Sequence, residues 1–383
     1  MKKFELYIIY GCTILTICTL YAAQPIQPLF ESQFELSKFQ AAIFTTAIML
    51  PLGIAPIAYG YILETFSAKK MLQVALFALG VLEVWFAVSD KYVILLNIRA
   101  LQGLLIPAIL TSLMSYISAR SDEKFIQQAI GTYIGITIVG GFAGRFFSGL
   151  FSDIFGWRFF FMLLGVFLLI FSYLLKNLKS DAKPNFAKPN RSDVLKVMKH
   201  PLNMRIYAAM FGIFFVFQAL LNFIPFELRN LGEGFEGTKT GFIYAGYAVG
   251  LLVSLNASKI INLAKSPAKA TFIGSIIYLI SIQFFHIQSY KAMFLTMFLF
   301  CLGMFIVHSI SSGYINAIAS SRKGIANGLY ISFYYAGGTV GTFLPGFLYE
   351  SAGWHWFLYL LTLIATISAG LLFSLRQSEK RLS

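Results

Sequence analysis

Charge is scarce in this chain. Only 12% of the residues are Asp, Glu, Lys or Arg, about half of the roughly 25% found in an ordinary soluble domain. That is too little to cover a water-facing surface, which excludes a free-standing soluble domain. Cysteine is nearly absent: Cys12, Cys18 and Cys301 all fall within apolar runs and build no disulfide framework. Four His residues are present, none in a His-Glu-x2-His array. A Gly-x4-Gly-Lys-Ser/Thr loop, a Gly-x-Ser-x-Gly elbow and a dinucleotide fingerprint are missing too. These absences argue against an enzyme, against a resident cofactor and against direct use of ATP through that loop.

What is abundant is apolar sequence. Hydrophobic residues make up 58% of the chain, and mean hydropathy is +0.73. The solvent for such a surface is lipid. Runs of about 20 apolar residues predict twelve spans: 6–29, 40–63, 71–88, 92–117, 127–150, 157–175, 204–226, 240–258, 270–287, 292–317, 325–349 and 355–374. The expected architecture is all-α integral membrane, with twelve transmembrane helices as two pseudo-symmetric six-helix bundles. Residues 1–175 form the first bundle and 202–383 the second. Residues 176–201 form a cytoplasmic linker with seven basic residues and a short surface helix near Asp193–Lys199.

Orientation follows from the basic residues. With both termini inside, 22 of the 30 Lys and Arg fall in inner segments and 6 outside, a strong positive-inside bias. Trp85, Trp157, Trp354 and Trp356 fall at predicted outer ends, where indoles favour the interface. The net charge of +14 is thereby explained by membrane insertion rather than by nucleic acid. The apolar run after Lys2-Lys3 is too long for a signal peptide and reads as an uncleaved first helix. The expected setting is the inner (plasma) membrane, as a monomer.

The chain also repeats itself. Residues 129–164 and 326–361 align without a gap, with 14 identities in 36 positions, among them Gly140/Gly337, Gly144/Gly341 and Trp157/Trp354. Asp153 matches the acid Glu350, and Pro28 and Gly53 meet Pro225 and Gly250 at the same offset. One duplication across membrane spans is the sequence mark of an alternating-access transporter. Gly140-x3-Gly144 and Gly337-x3-Gly341 place small residues one turn apart, so helix backbones approach closely. They are candidates for a moving seam.

Four motifs resemble those of the major facilitator superfamily. Leu95 to Gly103, with Arg99 followed by Gln102-Gly103, is similar to the family's buried-arginine motif. The resemblance implies a part for Arg99 in proton coupling or in shaping the cavity. Gly60 to Lys70 resembles Gly-x3-Asp-Arg-x-Gly-Arg-Arg. Gly60, Lys69 and Lys70 match and Glu64 is conservative, whereas Thr65, Ser67 and Ala68 depart. The implied role is a gating latch, here weakened. Gly131, Gly140 and Gly144 match the antiporter motif, with Gly141 in place of its proline and Arg145 in place of its last glycine. Pro25 and Pro28 resemble the Pro-x-x-Pro of twelve-helix exporters. Gly140-Gly141-x2-Gly144-Arg145, Gly156-Trp157-Arg158 and Tyr334-Tyr335-x-Gly337-Gly338 look like arabinose-efflux-type permeases. The group implied is that of drug/proton antiporters, moving a small organic molecule outward.

Polar residues inside spans need a partner or a purpose. Glu83, Arg99 and Arg145 lie at similar depth in the first bundle, and Glu83 is expected to pair with one of the arginines. Gln24, Gln27, Arg99, Gln102, Arg145, Gln218, Asn222, Tyr334 and Tyr335 are candidates for the substrate lining, and interhelical hydrogen bonding is the alternative for each. Arg99, Glu83 and His308 are the candidates for proton coupling. Cys301, Met304 and His308 share one helical stripe, but no second cluster of ligands supports a metal site. Two rivals to efflux stay open: an ion-coupled importer of a nutrient anion, and a transporter-like sensor that binds without flux.

Overall fold

The computed structural model describes residues 3–53, 55, 59, 67–120, 126–179, 191–232, 236–318 and 323–382. The chain is all-helical, with no strand among the described residues. Nine described helices are long and apolar enough to cross a membrane, and a bent pair makes a tenth. The second expected span, 40–63, is described only in part.

The helices divide into two compact units. The first holds Met1–Ala187 and Gly234–Tyr244, the second Lys188–Glu233 and Ala245–Ser383. In the first unit, α1 (Lys3–Tyr21) stops short of the predicted span and continues through a 3-10 turn at Gln24–Ile26 into α2 (Gln27–Gln33). Pro25 lies inside that turn and supplies no backbone N–H. Next come α3 (Lys38–Met49), α4 (Ala68–Val88), α5 (Tyr92–Arg120), α6 (Ile126–Phe155) and α7 (Trp157–Leu174). An aromatic cluster binds their ends. The Phe30 ring lies 4.6 Å from Phe44 and 5.0 Å from Trp157, and Phe86 lies 4.7 Å from Phe161.

The predicted linker helix is present as α8 (Arg191–Lys199). The second unit then carries α9 (Pro201–Asn230), whose most apolar window is 94% buried. Glu227 to Asn230, expected in a loop, stay helical. The predicted span 240–258 is divided between α10 (Gly237–Phe242), which joins the first unit, and α11 (Tyr247–Leu255), with a 70° bend before α12 (Ala257–Ala264). Helices α13 (Pro267–Phe284), α14 (Tyr290–Ile318), α15 (Lys323–Ala352) and α16 (Trp354–Leu382) complete the unit.

The duplication is visible in backbone geometry. Gly156 and Gly353, each just before the tryptophan that opens a helix, both hold φ +83°, a region that disfavours side chains. The matched glycines pack alike within each unit. A Cβ on Gly144 would sit 2.6 Å from Cys18 Cα in α1, and one on Gly341 2.2 Å from the Phe215 carbonyl in α9. Gly140 and Gly337 press on Ile14 and Phe211 in the same way. The seams are therefore α6 on α1 and α15 on α9. Each is a close backbone crossing inside its own unit.

Candidate substrate and coupling site

In the first unit, the polar chemistry gathers at the break in the first span. A helix leaves its last carbonyls without partners from its own turns, and Arg99 of α5 takes them. Its Nη1 donates to the Thr19 carbonyl at 2.9 Å and its Nη2 to the Leu20 carbonyl at 3.1 Å. Nε donates to the Phe44 carbonyl of α3 at 3.2 Å, and Nη1 also reaches Gln102 Oε1 at 3.0 Å. The guanidinium thus faces the negative end of α1 and ties three helices together. Arg145 of α6 binds the other side of the break. Its Nε donates to Gln24 Oε1 at 2.7 Å and its Nη1 to the Gly141 carbonyl at 2.7 Å. Its Cζ lies 3.9 Å from the centre of the Tyr21 ring and 5.0 Å from that of Tyr244, within cation–π reach.

Glu83 of α4 is fully buried beside this cluster. Arg99 acts on it by charge and the Thr19 and Gln102 side chains face it, yet none of the three meets hydrogen-bond geometry at either carboxylate oxygen. Gln102 Nε2 is likewise unpartnered. The expected Glu83–arginine pair is therefore a proximity rather than a contact, since the donors of Arg99 are committed to carbonyls. Gln27 donates Nε2 to Thr45 Oγ1 at 2.7 Å and ties α2 to α3.

In the second unit, the candidates form an aromatic wall. The Phe214 and Tyr334 rings stack at 3.6 Å, and Tyr334 lies 4.6 Å from His308. His308 Nδ1 is 3.0 Å from the Tyr330 hydroxyl, and Tyr335 meets Tyr334 edge-on at 5.2 Å. Tyr334, Tyr335 and His308 are half-buried. Gln218 and Asn222 of α9 are fully buried, and Asn222 Nδ2 donates to the Thr342 carbonyl at 3.2 Å. Cys301 and Met304 are buried, and no group of three His, Cys, Asp or Glu suited to a metal occurs among the described residues.

Of the latch residues, Gly60 and Glu64 lie outside the described residues. Lys69 Nζ donates to the Lys176 carbonyl at 3.1 Å and to the Leu178 carbonyl, pinning the start of α4 to the turn that follows α7. Lys70 is exposed, and its backbone N–H is capped by Ser67 Oγ at 3.3 Å.

Two polar clusters stand apart from the site residues expected from sequence. Asp153 of α6 caps α10. Its Oδ1 accepts from Gly237 N at 2.8 Å, and its Oδ2 accepts from Thr238 N at 2.8 Å and Thr238 Oγ1 at 2.6 Å. Its match with Glu350 was a signal without a partner. Glu227, buried at the end of α9, accepts from Gln288 Nε2 at 2.7 Å, the Tyr349 hydroxyl at 3.2 Å and Asn230 Nδ2 at 3.4 Å.

A profile described as the Major Facilitator Superfamily matches residues 9–321. The chain belongs to that family. It is 24% identical over 354 residues to the inner membrane transport protein YnfM of Escherichia coli, covering 91% of this chain and 84% of that one. It is also 24% identical over 400 residues to the multi-drug resistance efflux pump PmrA of Streptococcus pneumoniae, covering 98% and 96%. Among solved structures, an inward-facing bacterial homologue of the human lysosomal transporter Spinster matches with TM-score 0.80 and 14% identity over 98% of both chains. The nucleoside transporter NupG matches with TM-score 0.80 and 12% identity over 98% and 99%. The major facilitator chain is thus a multi-span membrane protein, a secondary transporter of small molecules and not an enzyme.

Proposed function

We propose that this facilitator is a proton-coupled exporter of a small organic molecule in the inner membrane, with both termini cytoplasmic. The observation that carries the coupling is Glu83: buried, without a hydrogen-bond partner, beside an Arg99 whose donors are spent on the end of α1. Two arrangements follow. Arg99 binds the carbonyls while Glu83 holds a proton, or Arg99 swings to an ionised Glu83 and releases the end of α1. A buried ion is tolerated only with a partner, so proton exchange and helix movement are one event. A broken helix at the centre of the site is also a recurrent device of transporters.

The bundles 1–175 and 202–383, joined by 176–201, are the moving bodies, with α10 of the second stretch belonging to the first unit. Gly140 and Gly144, with Gly337 and Gly341, provide the smooth seams along which α6 and α15 turn. Lys69 and Lys70, with Gly60 and Glu64, provide the latch. Arg145, Gln24, Gln27 and Gln102 in the first unit, and Gln218, Asn222, Tyr334 and Tyr335 in the second, are the substrate-contacting candidates, and His308 is a second proton-linked group. The direction rests on the exporter-like motifs and on the efflux pump among the relatives. The buried arginines favour the second reading, an importer of an anionic nutrient.

Flux in inverted vesicles under an imposed pH gradient tests the proposal. Wild-type protein is expected to accumulate substrate uphill, and Glu83→Gln to equilibrate it only, with a loss of at least roughly tenfold in uphill accumulation, the scale of general acid–base groups being larger still. Unchanged pH dependence in Glu83→Gln removes Glu83 from coupling. Uptake confined to right-side-out vesicles reverses the direction, and binding without flux in either turns the reading to a sensor.

A further inference from the structure

At the start of α9 lies a groove that the transport reading does not use. Leu195 and Met198 of α8, Met204 of α9 and Leu371 of α16 form its floor. Lys199 and Arg205 stand at its rim, and the open groove has a volume of about 580 Å³. All of these residues belong to the second unit. Asn203 builds the groove: buried, it donates Nδ2 to the Val197 carbonyl at 3.1 Å and holds the end of α8 against α9. Val197 is buried beneath, whereas Leu195 stays 53% exposed. Helix α8 thus keeps one apolar residue for the protein and offers another outward, next to the exposed Lys196 and Lys199. A short helix with this division and basic polar positions lies in the plane of a membrane interface. The groove spans the first two turns of a 30-residue membrane helix, the depth of headgroups and the first acyl carbons.

The geometry points to a binding site for one anionic phospholipid, its acyl chain on the apolar floor and its phosphate between Lys199 and Arg205. Arg205 Nη1 reaches the Ser374 carbonyl at 3.4 Å, which sets its guanidinium across the groove mouth between α9 and α16. Charge complementarity decides the headgroup. Lys196, Lys199 and Arg205 crowd this end, and the linker stretch 176–199 holds seven basic residues. Each such charge is attracted to an anionic leaflet. A zwitterionic lipid covers the floor equally well but brings no net charge to the rim. A bound lipid pins α8 to α9, so the leaflet facing the basic loops is read directly by the segment that joins the two bundles.

The test is native mass spectrometry of the full chain released from nanodiscs containing equal phosphatidylglycerol and phosphatidylcholine. Wild-type protein is expected to retain one phosphatidylglycerol with several-fold preference. Lys199→Glu is expected to abolish the preference. Ala208→Phe, which fills the groove wall without altering charge, is expected to lower retention of both lipids, and Lys259→Glu, the same charge change elsewhere, to leave the preference intact. Equal retention of the two lipids by wild-type protein overturns the proposal. So does a preference that survives in Lys199→Glu, or in Lys199→Gln should the first variant fail to fold by size-exclusion chromatography.

Discussion

The two halves descend from one pattern and diverge where it matters chemically. Both keep the glycine seam, the left-handed glycine and the tryptophan that follows it. At aligned positions, however, Arg145 of the first half meets Thr342 of the second, and Gln24 meets Leu221. The first unit buries Glu83, Arg99 and Arg145 around a broken helix, whereas the second builds its interior from Phe214, Tyr330, Tyr334 and His308. A similar swap occurs where α16 begins. In the first half, Arg158 donates to the Ala87 and Ser89 carbonyls and to Asp90 at 2.5 Å. Its counterpart His355 instead faces His286, Nδ1 to Nδ1 at 2.8 Å with rings 7° from parallel. That separation is shorter than any face-to-face stack, so the rings meet nitrogen to nitrogen. Packing between helices is thus the inherited part, and the buried arginines are the part assigned to one half, the second burying a lone acid among its described residues, Glu227, at the end of α9.

The comparison can be broken at the seam. Gly341→Leu forces a side chain into the Phe215 carbonyl, and overpacking costs about 1–3 kcal/mol or more. The expected outcome is little folded protein in fluorescence-detected chromatography, with Gly144→Leu close behind. Gly328→Ala, with nothing within 4 Å of the new atom, is expected to behave as wild type. Equal tolerance of Gly341→Leu and Gly328→Ala would deny the seam.

The charge asymmetry predicts the next effect. Arg99→Ala removes four hydrogen bonds, at roughly 0.6 kcal/mol each within a membrane, so unfolding in mixed micelles should show a loss of about 2 kcal/mol. Asn222→Ala removes its bond to the Thr342 carbonyl and should lose about a quarter of that. Similar losses would mean that the first half is no more dependent on its polar core. Asp153→Ala strips the cap from α10, worth about 0.5–2 kcal/mol. Hydrogen exchange at the Gly237 and Thr238 amides should rise, and the matched Glu350→Ala is not expected to reproduce this.

The smallest effect concerns the histidine pair. One Nδ1 must donate and the other accept for the bond to form, and a charged His286 has only donors. Burial and then the neighbouring His355 hold the His286 pKa below the ordinary imidazole value, so the stability tied to neutral His286 is present at neutral pH and lost as pH falls below the ordinary imidazole range. Replacing the pair by an acid and an arginine, His286→Asp with His355→Arg, should remove the acid sensitivity in the imidazole range, within about 1 kcal/mol overall. A melting temperature with the same pH dependence in both proteins would sink this reading.

Much of this was legible beforehand. Period, length and basic bias follow from transfer of residues into lipid, which every span must satisfy alone. The seam was legible because close approach of helices demands small residues at a fixed spacing. The break at Tyr21–Ile26 was less so: Pro25 was seen, but as part of a motif within a continuous span. The Asp153 cap joins residues 84 positions apart and the histidine pair residues 69 apart, and no local pattern announces such partners. An acid such as Glu227 at the end of an apolar run resembles a boundary until Gln288 and Tyr349 are known to meet it.

Composition and spacing by themselves determined that the chain lives in lipid, that it is a doubled six-helix pattern, and which few ionisable groups lie at depth. Each of those is a property of single helices and their solvent. Which carbonyls Arg99 satisfies, that Glu83 is left without a hydrogen bond, and that α10 belongs to the first unit were decided only when the helices packed. A hydrogen bond is a matter of tenths of an ångström between elements, and no single element contains that information.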